Sequence, residues 1–215
     1  MSSTLISASY PEVAIHIHIF NCAMTGYASG QYLIKLIRDG ALFKPNLIIA
    51  YGHTNDCTDK KGNGAYEFSY LRYLFEHLAK DFNKKVITGN YNENSVFSQW
   101  LMNMRYINAI ASVSDANFYA FIQPTLICKN DYTLHEKKMM KMISTMYADE
   151  VYKGMRLFKD KANEVGKEYS YIYDLTSIFD DEDVYMDICH VYEDGNRIVA
   201  DAIWNVIKED IQKYR

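Results

Sequence analysis

The sequence predicts an α/β fold, a three-layer α/β/α sandwich around a mainly parallel sheet. Three observations carry this. Short apolar or β-branched runs alternate with amphipathic helical stretches along the chain. Residues 46–51 form a continuous apolar run, as in a strand covered on both faces. The 215 residues are 49% hydrophobic with no repeat or linker tract, which suits a single domain over 1–215 with a sizeable core.

The elements follow in order. At residues 14–20, Ile15, Ile17 and Ile19 alternate with His16 and His18, the period of a strand with one wet face. Leu33, Leu36 and Ile37 repeat at helical spacing before Gly40, which predicts a helix over 29–38. A strand follows at 46–51. Phe68, Leu71, Phe75, Leu78 and Phe82 make a helical stripe over 66–82. A short strand is expected at 86–88, a helix at 96–113 and a strand at 118–122 ending on Gln123-Pro124. A long Met-rich helical stretch covers 135–165, with Gly154 as a possible break. The chain closes with a strand at 169–175 and a helix over 195–213.

Composition removes several function classes. With 23 basic against 27 acidic residues the chain offers no electrostatic case for a nucleic-acid partner. No apolar run approaches the ~20 residues of a membrane span. Cys22, Cys57, Cys128 and Cys189 form no CxxC pair, so reduced thiols are expected. No signal peptide is read at the N-terminus, and a cytoplasmic location is expected. His16 and His18 share a strand face but lack a third ligand nearby, so no metal is predicted. The acidic run Asp180 to Asp183 lacks the spacing and glycine of a calcium loop. No organic cofactor is implied.

Ligands of parallel sheets bind at the carboxyl ends of strands. Four segments lie there: residues 21–31, 51–56, 123–126 and 187–196. Asp187 and His190 stand three apart in a predicted loop. The carboxylate can accept from the imidazole Nδ1–H, leaving Nε2 as a general base. Asn55 offers a side-chain amide, and Gly26 a backbone N–H, to a developing oxyanion. Each residue also has a plain structural reading: a surface histidine, an Asx-turn asparagine, a glycine permitting positive φ.

Together these segments resemble the SGNH hydrolases, the GDSL esterase family. Residues 21–31 are similar to the block whose glycine supplies an oxyanion N–H, here Gly26. The run Gly52-His53-Thr54-Asn55-Asp56 resembles the Gly-x-x-Asn-Asp block, whose Asn completes the hole, here Asn55. Residues 121–126 resemble the Gln-Pro strand end common in the family. Asp187-x-x-His190 with Gly195-Asn196 resembles the block bearing acid and base. The resemblance spans about residues 13–211. It implies a flavodoxin-like SGNH fold and acyl transfer through an acyl-serine. The substrate would be a small carboxylic ester, an acylated carbohydrate being one candidate.

The family's nucleophile block has no full counterpart. Too few residues precede the strand at 14–20 for another strand ending in Gly-Asp-Ser. Ser2-Ser3-Thr4 is read either as a relic of that motif, with Ser3 as nucleophile, or as an ordinary polar terminus. The fold is therefore expected to lack its usual first strand. Either the sheet closes up, or an open edge invites a homo-oligomer. A catalytically inactive binding or oligomerising module is the alternative function. A nucleotide binder ranks last, since residues 21–30 contain neither GxGxxG nor Gly-Lys-Ser/Thr.

Overall fold

A computed structural model describes residues 4–10, 15–58, 93–146 and 149–213. The fold is α/β, with a small parallel sheet of three strands. The sheet order is β3 (Leu47–Tyr51), β4 (Asn117–Ile122), β5 (Ile172–Asp174). The expected helix at 66–82 and strand at 86–88 lie outside the described residues.

The central strand β4 explains the layering. Phe118, Ala120 and Ile122 face one side and are buried against α3 (Glu93–Val113) and α5 (Asp149–Glu168). Phe121 faces the other side, where it clusters with Leu175 and with Ile203, Val206 and Ile207 of α6 (Glu193–Gln212). On the first side, Phe158 of α5 meets Trp100 and Phe97 of α3 edge-on, with ring centroids 5.3 and 5.1 Å apart. Such aromatic contacts add about 0.5–1.5 kcal/mol each to the burial of the rings. Among the described residues, no helix is long and apolar enough to cross a membrane.

Two expectations change here. Residues 4–10 are not merely terminal: Thr4–Tyr10 forms strand β1, antiparallel to β2 (Ile15–Asn21), in a separate two-stranded sheet. The register sets Ile6 across from Ile19 and Ser7 across from His18, so like positions pair with like. The short Ser-containing run of β1 carries little strand signal until a partner is supplied. The second change concerns β3. Its run of apolar residues predicts cover on both faces, yet Ile49 is 44% exposed. Among the described residues β3 pairs with β4 alone.

Helix boundaries shift for local reasons. Helix α1 (Ser29–Lys35) passes into a wider turn over Leu36–Gly40. The stretch at 135–165 divides into α4 (Leu134–Met146) and α5, so the break precedes Gly154. Gly154 is buried within α5, where packing outweighs the ~1 kcal/mol helix cost of glycine. Strand β5 starts late because Tyr169 N still donates to Val165 O at the end of α5.

A buried ion pair ties the loop after β4 to the chain beyond β5. Lys129 Nζ lies 2.7 and 2.9 Å from the two Glu136 oxygens and also donates to the Glu182 carbonyl. Glu136 Oε2 accepts from Thr133 N at 2.9 Å, and Thr133 Oγ1 accepts from Glu136 N at 3.2 Å, a capping box at the start of α4. Losing one partner of such a pair costs about 3–5 kcal/mol.

Candidate active site

The segment carrying Asp187 and His190 is a closed turn. Tyr185 and Val191 form an antiparallel bridge, and Tyr192 N donates to Val184 O while Met186 N donates to His190 O, both at 2.8 Å. Inside the turn, Asp187 Oδ1 accepts from Cys189 N at 2.9 Å and from His190 N at 2.7 Å. Its Oδ2 lies 2.7 Å from His190 Nδ1. Burial alone would raise this carboxyl. The two backbone N–H groups and the imidazole outweigh it and hold Asp187 below the usual carboxylate range. An ionised Asp187 fixes the ring, and among the described residues His190 Nε2 has no hydrogen-bond partner.

Gly195 holds this turn against α6. A Cβ there would come within 2.7 Å of Val191 Cβ and 3.1 Å of Val184 Cβ. Alanine gains up to ~1 kcal/mol in helix propensity, but overpacking costs about 1–3 kcal/mol. Gly195→Ala is therefore expected to lower the thermal midpoint. A midpoint at or above that of the parent chain would show that the turn yields freely.

The oxyanion candidates sit on two linked loops. Gly26 has φ +77°, a conformation that favours glycine, and a Cβ there would meet nothing within 4 Å. Among the described residues nothing accepts a hydrogen bond from its N–H. Asn55, in the short helix α2 (Thr54–Thr58), donates through Nδ2 to Tyr27 O at 2.9 Å. The second N–H of that amide remains to serve a ligand.

A buried network locks the two loops together. Asp56 Oδ1 accepts from Ser29 Oγ at 2.5 Å, and both its oxygens accept from Ser29 N at 3.2 and 3.1 Å. Asn103 of α3 donates to Ser29 Oγ at 2.9 Å. Residues 27 and 74 positions apart thus meet beneath the site.

A polar seam joins these loops to the Asp187–His190 turn. Thr54 Oγ1 donates to Gln123 Oε1 at 3.0 Å, and Gln123 Nε2 donates to Cys189 O at 3.2 Å. Leu126 N donates to Ile188 O at 2.9 Å. The Gly52–Asp56 loop, the end of β4 and the 187–190 turn therefore share one end of the sheet. Gly52, with φ +130°, lies so close to Tyr32 that a Cβ would approach its hydroxyl to 3.0 Å. Beside the seam, burial and the neighbouring Asp187 charge push the Cys189 thiol up to about 12. It is thus protonated at neutral pH and a poor nucleophile.

Compared with known proteins, the chain matches no family model, no curated protein and no solved structure.

Ser3 lies outside the described residues. Thr4, the first described residue, pairs with Asn21 at the end of β2 that leads into the Gly26 loop. Sequence reading missed the seam formed by Thr54 with Gln123, and it missed the Asp56–Ser29–Asn103 network. Both join segments far apart in the chain. It also missed that His53 faces inward, fully buried and stacked on Phe158 at 4.1 Å. Neither ring nitrogen of His53 has a hydrogen-bond partner among the described residues.

Proposed function

We propose that the chain forms a serine-type carboxylic ester hydrolase of the SGNH kind, acting through an acyl-serine. One observation carries the reading. A carboxylate-clamped imidazole stands at the sheet end where an asparagine amide and a glycine N–H also emerge, with Nε2 and that N–H unengaged among the described residues. On this reading His190 Nε2 takes the proton of a serine hydroxyl as its oxygen attacks the ester carbonyl. Asp187 holds Nδ1–H and stabilises the imidazolium. The Gly26 N–H and the Asn55 amide receive the oxyanion, each donor worth about 3–4 kcal/mol. The alcohol leaves with the proton from His190, and water then releases the acid by the same path.

Ser3 is the proposed nucleophile, from the likeness of Ser2-Ser3-Thr4 to the family's nucleophile motif. The sheet then belongs to a flavodoxin-like, three-layer SGNH fold without its usual first strand. The edge of β3 left unpaired among the described residues is where a second copy would add a strand. The substrate is a small ester, an acylated carbohydrate fitting the exposed position of His190. A second reading, an inactive binding module, is favoured by the lack of any hydroxyl bonded to His190 Nε2 among the described residues.

Labelling with a fluorophosphonate, followed by peptide mapping, separates the two. A stoichiometric adduct on Ser3, lost in Ser3→Ala, supports the hydrolase. An adduct on another serine moves the nucleophile but keeps the base. No adduct, with ester-analogue binding intact, establishes the binding module.

A further inference from the structure

We propose that Asp187, Cys189 and His190 form a binding site for Zn²⁺, and that its occupancy silences the His190 base. A carboxylate oxygen of Asp187, Cys189 Sγ and a ring nitrogen of His190 all lie within 4.8 Å of one another. The Cys189 Sγ–His190 Nδ1 distance is 3.8 Å. With Zn–S near 2.3 Å and Zn–N near 2.0–2.1 Å, a tetrahedral site has such an edge at roughly 3.5 Å. The 2.7 Å contact between Asp187 Oδ2 and His190 Nδ1 must open as the ion replaces the shared proton. One thiolate, one imidazole and one carboxylate suit zinc, with water completing the tetrahedron.

The turn is prepared for this. Asp187 Oδ1 is held by two backbone N–H groups, so Oδ2 is presented at a fixed angle. The His190 side chain is 74% exposed, so the ion enters directly from solvent. The ionised Asp187 carboxylate favours a cation beside it, and a coordinating thiol gives up its proton outright. Binding therefore releases one proton, from Cys189. The His190 proton passes from Nδ1 to Nε2, so the atom proposed as general base is capped. The silencing rests on the hydrolase reading; the binding does not.

The test uses the full chain, kept reduced by a non-thiol reductant, with Co²⁺ as probe. One Co²⁺ per chain should bind with a thiolate-to-metal charge-transfer band, which Zn²⁺ bleaches. Cys189→Ser should remove the band, Asp187→Asn should weaken binding by about tenfold or more, and Cys22→Ser should leave the band in place. No band, or a band surviving Cys189→Ser, overturns the proposal. Zn²⁺ should also suppress fluorophosphonate labelling. A metal band in a chain that never labels would uphold the site while removing the hydrolase.

Discussion

On the hydrolase reading, replacing His190 by Ala is expected to lower p-nitrophenyl acetate turnover and fluorophosphonate labelling by about 10²–10⁴-fold, the usual contribution of a general acid–base group. The thermal midpoint stays where it was. The side chain is largely exposed, and among the described residues its side-chain partners are Asp187 and the thiol of Cys189. The turn itself survives, because Asp187 Oδ1 still holds the backbone of residues 189 and 190. Asp187→Asn is expected to cost up to about 10⁴-fold on the same reading, since it spares the ring but favours the wrong tautomer. Turnover equal to that of the parent chain in His190→Ala would remove this residue from the mechanism. A fall in midpoint matching the fall in rate would reassign it to a structural role.

Acid weakens the fold through His53. In an unfolded chain imidazole titrates near 6.5. In the folded chain burial takes it out of water and lowers it to about 3. Between these values the unfolded chain holds the proton and the folded chain does not. Stability is thus fully present above about pH 6.5 and declines by about 1.4 kcal/mol per pH unit as the solution is acidified towards 3. His53→Leu leaves no described partner unpaired, because neither nitrogen is hydrogen-bonded among the described residues. It is expected to raise stability at neutral pH by about 1–2 kcal/mol and to flatten the slope between about pH 6.5 and pH 5. Urea unfolding of both chains across that window reads this out. Parallel slopes in the two chains would show that His53 reaches solvent in the native state.

Most strands and helices were legible because their signals are local. The β2 alternation, the apolar run of β4 and the stripe of α6 each lie within one window of sequence. Strand β1 was not, since a short run containing Ser7 and Ser9 becomes a strand only when β2 pairs with it. The exposure of Ile49 was hidden for the same reason: an apolar run says what a strand can bury, not whether a neighbour covers it. His53 reads as a polar residue in a loop, and only the packing of Phe158 against it reveals the buried ring.

The sequence by itself determined the alternation of strands and helices and the Asp187–His190 pair. That pair spans three residues, so one turn suffices to bring carboxylate to imidazole. Tertiary structure decided the rest: the separate β1–β2 hairpin, the single partner of β3 among the described residues, and the Asp56–Ser29–Asn103 lock between the start of α1, α2 and α3. It also brought Thr54 to Gln123, 69 positions along the chain. Such pairings depend on which distant segments exclude water together, and no local period encodes that.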